Sequence, residues 1–405
     1  MKNVAITGQG VISCLGLTVS DFCRGLDEGQ IPAEAAPWSA ETGGNIFHAP
    51  VKGFEPTDWM NSRTVGGTDR FAQYAVAAAA EAVKNAGIEE FNPVRTAVIM
   101  GTSMAGAQTL LDAQDEYVRG GYEAIPRKLQ LMAWPNMAGA QIALRWKLHG
   151  PLLTISTACA SSLDAIGLAA RMIESGMVDV AITGGSDNGG VRTSQLAAAR
   201  YGMSPIDVED PKMVCRPFDV NRRGVLGGDG AAVVVLESVS HARARGAQIQ
   251  GLVRGYGSLS DGYHPSSPNP SGEWEVAAMR AAQAEAELTP SDIGAVVAHA
   301  TGTPVGDIAE ITAINEVFAS TPVLATGIKG NVGHTAGAAG AMGVMTGLHS
   351  LRTGTLSPTA STTDLDLAIR FEVPLGAPAA AKIDAFQVNA FGFGGQNTSL
   401  VISRD

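Results

Sequence analysis

Dense clusters of basic residues are missing from this sequence. Lys and Arg together number 28 against 39 Asp and Glu, which gives a formal net charge of -11. Proteins that bind the phosphate backbone of nucleic acids take most of their affinity from basic side chains. We therefore expect no nucleic-acid partner.

Paired cysteines are missing as well. Cys14, Cys23, Cys159 and Cys215 are scattered, form no CxxC motif, and have no histidine at a spacing that suits a metal. Structural zinc sites and disulfide frameworks depend on such patterns. The sequence therefore predicts neither a disulfide framework nor a bound metal.

A secretory leader and long apolar runs are also absent. The first residues, MKNVAITG, lead straight into a strand-like pattern, without an apolar stretch that ends in a cleavage site. No apolar run elsewhere is long enough to span a bilayer. We expect a cytoplasmic protein with no membrane partner.

Apolar residues are plentiful, and their arrangement predicts an α/β protein. They make up 45% of the 405 residues, enough for a large core and for two fused units. Strand-like runs alternate with Ala-rich helical stretches in two similar series, which predicts a duplicated core, with residues 1–247 and 248–405 as its halves. The predicted strands are 4–12, 96–101, 153–157, 178–183 and 231–236 in the first half and 249–256, 295–299, 323–326, 382–389 and 399–403 in the second. The predicted helices are 69–86, 161–175, 274–287, 307–318 and 336–351.

A cysteine lies where one predicted strand gives way to a helix. Cys159 stands in the segment TACASSLD, residues 157–164. A helix N-terminus stabilises a thiolate, so we expect a lowered pKa for this thiol and a nucleophilic role. Taken alone, the motif also fits a small buried apolar residue.

Two histidines follow predicted strands in the same way. His299 stands in AHATGTPVGD and His334 in KGNVGHTAGAAG, five residues after Lys329. Either histidine alone fits a hydrogen-bonded structural residue. Strand-to-helix turns of α/β folds meet at one end of the sheet, however, so the three turns together predict a single site.

These motifs resemble those of the elongating β-ketoacyl-acyl-carrier-protein synthases and the related type II polyketide ketosynthases. The resemblance covers essentially the whole chain and includes residues 8–10, RPFD at 216–219, 224–230 and NAFGFGGQN at 389–397. It implies an α/β thiolase fold, with duplicated βαβαβαββ halves in five layers. It also implies acyl carrier protein as partner, a homodimer or a heterodimer with a ketosynthase-like paralogue, and no cofactor beyond the carrier's phosphopantetheine.

The resemblance further implies roles for individual residues. Cys159 would take an acyl group as a thioester, while His299 and His334 would stabilise the enolate left when carbon dioxide leaves a malonyl thioester. Backbone N–H groups of Cys159 and Phe393 would form a second oxyanion hole. Lys329 would support His334 electrostatically, anchored by Asp307 or Glu310, although acids at a helix start also fit a simple capping role. The remaining implied contacts are Met104 in an acyl pocket, Thr301, Thr303, Ser266, Phe391 and Phe393 along the substrate path, and Arg127 and Lys128 at a carrier-docking position.

Several positions differ from the family pattern. Gly343 stands where many members have a glutamate that braces the lysine, Gln396 replaces a common threonine, and Met104 replaces a common isoleucine. Gly66 and Gly67 replace basic residues that several relatives use to bind the acidic carrier.

Three other functions are compatible with parts of the sequence. Dinucleotide binding at residues 8–10 is rejected because the third glycine of the fingerprint is absent. A thiolase shares the fold but normally uses a second cysteine as base. A noncatalytic chain-length-factor subunit, which binds carrier and shapes the pocket, typically lacks the nucleophilic cysteine, so the sequence favours the enzyme.

Overall fold

The computed structural model describes residues 4–405, in which strands and helices alternate along the chain. The strands are β1 (Val4–Ile12), β2 (Glu34–Ala35), β3 (Phe47–Ala49), β4 (Thr96–Gly101), β5 (Leu152–Ile155), β6 (Val180–Asn188), β7 (Gly227–Ser238), β8 (Gly251–Ser260), β9 (Ala295–Val297), β10 (Leu324–Thr326), β11 (Thr355–Leu356), β12 (Ala379–Ala380), β13 (Ala385–Gly392) and β14 (Gln396–Ser403). The helices are α1 (Val19–Asp27), α2 (Ser62–Val65), α3 (Arg70–Ala86), α4 (Ala107–Gly120), α5 (Leu129–Ala133), α6 (Met137–Trp146), α7 (Ser161–Glu174), α8 (Arg192–Tyr201), α9 (Val239–Ala244), α10 (Glu273–Ala286), α11 (Pro304–Val317), α12 (Lys329–Val332) and α13 (Ala339–Thr353).

The strand order shows the duplication directly. Five strands of the first half run β1-β7-β6-β4-β5 across the sheet, and five of the second run β8-β14-β13-β9-β10. In both halves the first two pairings are antiparallel and the last two are parallel. The halves join through antiparallel pairing of β1 with β8. The duplicated core expected from the sequence is thus present in the topology.

The helices complete a layered arrangement. α3 packs on β1 and β7, and α10 packs in the same way on β8 and β14. Between the two five-stranded halves of the sheet lie α7 and α13, which contact each other and strands of both halves. The five layers are therefore helix, sheet, helix, sheet, helix, and the expected thiolase fold is confirmed.

Glycine positions explain how closely the outer helices approach the sheets. A Cβ on Gly8 or Gly10 of β1 would collide with backbone carbonyl groups of α3, and a Cβ on Gly255 or Gly257 of β8 would collide with those of α10. The Gly-Gln-Gly segment near the start of the chain therefore serves helix packing, which agrees with the rejection of dinucleotide binding.

The predicted strand boundaries are most accurate where a strand is apolar along its whole length. Strands 4–12 and 96–101 match β1 and β4 to the residue, whereas β6 and β7 extend well beyond the predicted 178–183 and 231–236. Helices α4, α6 and α8 were not predicted. Within residues 4–405, no helix combines the length and the apolar character needed to cross a membrane.

Candidate active site

Cys159 lies in a tight turn between β5 and α7. The turn, Ala158–Ala160, is a single 3-10 turn in which Ala158 has φ of +51°. Ser161 holds this conformation, because its hydroxyl donates to the Ala158 carbonyl at 2.6 Å and accepts the N–H of Thr157 at 3.0 Å. The left-handed alanine is strained and aligns the cysteine with the first turn of α7.

His334 lies close to the corresponding turn of the second half. That turn is Ala336–Ala338, between β10 and α13, and Ala336 has φ of +46°. His334 lies three residues before its centre, after the short helix α12. The two corresponding turns contact each other, so the cysteine of one half faces the histidine of the other.

His299 follows β9 in a third strained turn. Ala300 has φ of +35°, and the Glu310 carboxylate accepts the N–H groups of His299 at 2.8 Å and Ala300 at 2.7 Å. Asn389 donates to the same carboxylate at 3.2 Å. Glu310 therefore holds the backbone that presents the histidine ring.

The three side chains meet as the sequence predicted. His334 Nε2 lies 3.0 Å from Cys159 Sγ, and the rings of His299 and His334 are 5.5 Å apart, edge to face. The sulfur and one nitrogen from each ring all lie within 4.8 Å of one another. Residues distant in the chain thus form one side-chain cluster.

The hydrogen bonds on the far side of each ring set its tautomer. His334 Nδ1 accepts the N–H of Ala336 at 3.2 Å, and His299 Nδ1 lies 3.3 Å from Lys329 Nζ, an ammonium donor. A neutral imidazole with Nδ1 as acceptor carries its proton on Nε2. Both rings therefore present an Nε2–H group, and that of His334 donates to the sulfur.

Burial controls the protonation of the cluster. It lowers the pKa of His334 to about 3 and that of His299 well below its ordinary value, with the Lys329 ammonium acting in the same direction, so both rings are neutral. It also raises the pKa of the Cys159 thiol to about 11, against Lys329 and the N–H groups of Phe393 and Cys159 itself. The lowered thiol pKa expected from the helix N-terminus is wrong, because burial outweighs these donors.

Lys329 contacts His299, while its charge also lowers the pKa of His334. Its ammonium donates to the backbone carbonyl of His299 and lies beside the Nδ1 atom of that ring. Neither Asp307 nor Glu310 forms a direct ion pair with it among the described residues, but both carboxylates act against burial to raise the pKa of the Lys329 ammonium. Position 343 has no room for a bracing glutamate, since even a Cβ on Gly343 would meet Val388 at 2.7 Å.

The two acids instead hold backbone. Asp307 accepts the N–H groups of Phe218 at 2.8 Å and Gly302 at 2.9 Å, while Thr303 caps α11. Burial raises the pKa of Asp307 to about 6 and that of Glu310 to about 7. Their position around the His299 loop agrees with a supporting role, and Asp307 also lies in the first turn of α11, where an acid is favourable against the helix dipole.

Asp187, at the end of β6, was missed by the sequence reasoning. Its buried carboxylate joins the Cys159 turn to the turn after His334, since Ser103, one of its partners, also donates to the Ala158 carbonyl at 2.8 Å. A polar residue that ends an apolar strand was the available signal. The donors to the carboxylate are the N–H groups of Ser103, Met104, Ala105 and Gly337 and the hydroxyl of Thr102, at 2.6 to 3.0 Å.

The cluster opens into a cavity of about 300 Å³ with largely apolar walls. Its lining includes five predicted contacts, Thr301, Thr303, Ser266, Phe391 and Phe393. Met104 is not part of this lining, although its N–H donates to Asp187 at 2.8 Å. Arg127 and Lys128 are exposed on the surface before α5.

Within residues 4–405, the only group of side chains arranged closely enough to hold a metal is the cluster itself, Cys159, His299 and His334. Thiolate and imidazole are zinc ligands. The Lys329 ammonium beside His299 would repel a cation there.

Comparisons with known proteins give a consistent result. The family models of the beta-ketoacyl synthase N-terminal and C-terminal domains match residues 1–242 and 250–363. The 3-oxoacyl-[acyl-carrier-protein] synthase 2 of Vibrio harveyi is 34% identical, over 100% of this chain and 99% of the relative. Among solved structures, the ishigamide ketosynthase/chain length factor has a TM-score of 0.93 at 30% identity (100% and 99% coverage), and a beta-ketoacyl synthase from Burkholderia phymatum has 0.91 at 30% identity (100% of both chains). The resemblance inferred from the motifs is confirmed, and this chain belongs to the β-ketoacyl synthase family.

Proposed function

We propose that the protein joins an acyl group held on Cys159 to a malonyl thioester by decarboxylative Claisen condensation, with both substrates delivered by acyl carrier protein. The Cys159 sulfur first attacks the acyl thioester, and the carrier thiol leaves. Carbon dioxide then departs from the malonyl thioester, and the resulting enolate attacks the Cys159 thioester. The new carbon–carbon bond gives a β-ketoacyl carrier and frees the sulfur.

The observation that carries this proposal is the pair of neutral rings beside the sulfur. Each presents an Nε2–H group rather than a basic nitrogen. Such donors suit the developing negative charge on a thioester oxygen during decarboxylation, which needs no base to remove a proton from carbon. Lys329 acts as a positioning residue, because it holds His299 in this tautomer.

A second set of donors supports the carbon–carbon bond step. The N–H groups of Cys159 and Phe393 lie close enough to the sulfur to lower the pKa of its thiol, against the larger effect of burial. A tetrahedral carbon attached to that sulfur would place its oxyanion close to the same two groups. Gly392 lies in close contact with the Cys159 turn, where a Cβ would meet Cys159 N at 3.1 Å, so a glycine allows this approach.

The cavity lining supports delivery on a phosphopantetheine arm. Thr301 and Thr303 lie side by side, with hydroxyls 2.9 Å apart, and Ser266 lies across the cavity near Tyr201. These hydroxyls can bond the amides of the arm. No cofactor held by the chain enters this scheme, and a cytoplasmic location remains part of the proposal.

We infer that Arg127 and Lys128 help to dock the carrier. Both are exposed, and the net charge of -11 makes a local basic patch necessary for attraction to an acidic partner. Reversing both charges should raise KM for the carrier substrate several-fold, steeply at low salt, and leave reaction with a carrier-free thioester unchanged. Equal losses with both substrates would contradict a docking role.

A second subunit is part of the proposal. β5 is an edge strand whose Leu152 and Leu153 are 42% and 40% exposed, and the nearby Leu144 and Trp134 are also exposed. An open apolar edge is normally covered by another chain. The chain's relatives include a ketosynthase/chain length factor, so we consider a homodimer and a heterodimer with a paralogue; a sizing column run with and without candidate partners distinguishes them.

The alternative is a subunit that mainly binds carrier and shapes the pocket. The sulfur, two ring N–H groups and oriented lysine favour the active subunit instead. We further propose residues 1–247 and 248–405 as the two halves, the first with the cysteine and the second with the histidines and Lys329.

Intact-mass analysis after incubation with acyl carrier proteins tests the nucleophile. Wild type should gain one acyl group, and Cys159→Ser should gain none as a thioester. Cys215→Ser is the matched control, because Cys215 is also buried near the site, with its thiol 3.3 Å from the Thr301 carbonyl, and it should load normally. An adduct on another cysteine in the Cys159 variant would overturn the proposal.

Decarboxylation is tested separately. His334→Ala should still accept an acyl group but lose release of labelled carbon dioxide from malonyl carrier, since one of the two enolate donors is gone. Carbon dioxide release at the wild-type rate would remove His334 from that step.

A further inference from the structure

One acid in the wall of the active-site cavity has no partner. Glu275 lies in the first turn of α10, is 2% exposed and lines the cavity that contains Cys159. Its Oε2 atom is buried without a hydrogen bond. A buried polar atom without a hydrogen bond costs free energy.

The neighbouring acids, unlike Glu275, accept hydrogen bonds. Asp261 accepts hydrogen bonds from Asn269 and Asn397, and Glu310 and Asp307 accept backbone N–H groups. Those donors are therefore already occupied, and the charges that act most strongly on Glu275 are those of the three acids.

This environment favours the neutral form of Glu275. Burial, and then repulsion from Glu310, Asp261 and Asp307, raises its pKa well above the ordinary value. A protonated carboxyl has an O–H donor. The cavity wall thus contains a hydrogen-bond donor.

We propose that Glu275 is a substrate-recognition subsite that donates a hydrogen bond to an oxygen of the bound thioester other than its reacting carbonyl. The inference rests on the proposed function. The chemical class it takes is a carbonyl oxygen, supplied either by a keto group on the acyl chain or by an amide of the carrier arm. A purely hydrocarbon substrate leaves the donor unpaired and is disfavoured.

The test measures acylation of Cys159 by intact mass with four probes. Decanoyl and 3-oxodecanoyl chains are each joined to pantetheine and to ethanethiol, so that S-ethyl decanethioate has no oxygen beyond its thioester. Glu275→Leu should load the probes that contain the recognised carbonyl at least about tenfold more slowly than wild type, because one hydrogen bond to a buried donor is lost. S-ethyl decanethioate should load as fast or faster.

Two variants guard against a merely structural effect. Glu275→Gln keeps a neutral donor and should retain the wild-type preference, and Glu273→Leu, on the exposed face of the same turn, should change nothing. A loss that follows the 3-oxo group identifies the acyl chain as the oxygen source, and one that follows pantetheine identifies the arm.

The outcomes separate the two proposals. If wild type loads Cys159 but Glu275→Leu slows all four probes equally or none, the subsite is refuted while the condensing function stands. If wild type loads none of the probes and no acyl carrier substrate, the proposed function itself fails, and the subsite with it.

Discussion

Asp187→Asn should be among the most damaging single-atom changes in the protein. One carboxylate oxygen accepts three donors, from Thr102, Met104 and Ala105, and the other accepts the N–H groups of Ser103 and Gly337. An asparagine that keeps the first set must point its NH₂ group at the second.

The magnitude follows from the donors left without an acceptor. Two buried backbone N–H groups at about 1–3 kcal/mol each give a loss of about 4 kcal/mol in the free energy of unfolding. Gly337 lies in the turn after His334, and the Ser103 hydroxyl donates to the Ala158 carbonyl of the Cys159 turn, so acylation should slow as well.

Asp164→Asn provides the matched control. Asp164 is also buried, but its partners are the hydroxyls of Thr157, Tyr256 and Thr398, at 2.5 to 2.8 Å. Hydroxyls rotate and accept hydrogen bonds from an amide, so this variant should lose no more than about 1.5 kcal/mol.

Urea titrations of both variants supply the comparison. A midpoint for Asp187→Asn well below that of Asp164→Asn is expected. Equal midpoints would refute the argument that the geometry of the donors, rather than carboxylate burial alone, determines the cost.

Three further outcomes are expected. Alkylation of Cys159 should speed up about tenfold per pH unit from pH 7 to 10, because its pKa of about 11 keeps the thiol protonated and the thiolate fraction rises tenfold per unit below the pKa; a plateau below pH 9 would contradict it. Ala158→Gly should leave the melting temperature nearly unchanged, since relief of strain offsets the added freedom of the unfolded chain, whereas Ala158→Val should lower it sharply. Gly347→Ala should cost about 1–3 kcal/mol in unfolding free energy, because its Cβ would overlap the buried Phe386 ring; wild-type stability would show that α13 shifts without cost.

The sequence predicts a strand or helix accurately where the pattern that determines it is local in the chain. β1 and β4 were predicted to the residue because they are apolar and buried along their whole length. β6 extends to Asn188, beyond the predicted end at residue 183, and Gly184 continues the strand in close contact with the backbone of Ala232. That contact comes from another strand and leaves no local pattern.

The same distinction between local and distant determinants applies to the residues of the site. The convergence of Cys159, His299 and His334 followed from their positions after strands, which topology brings together. The partner of Lys329 did not follow, because it depends on the path of the His299 loop. The missing hydrogen bond at Glu275 was not predicted either, because it depends on which neighbouring acids bind the available donors.

The repeated turn makes the chemistry a joint property of both repeats. Cys159 and Gly337 occupy the central position of the same turn in the two repeats, so the sulfur comes from one copy and the opposing imidazole from just before the other. A fragment that stops before β8 would contain a thiol with no ring to face it, and the remaining fragment would contain both rings and no thiol. Neither fragment could therefore catalyse the condensation alone. Recovery of activity on mixing the two fragments would show that the central helices α7 and α13 had packed against each other.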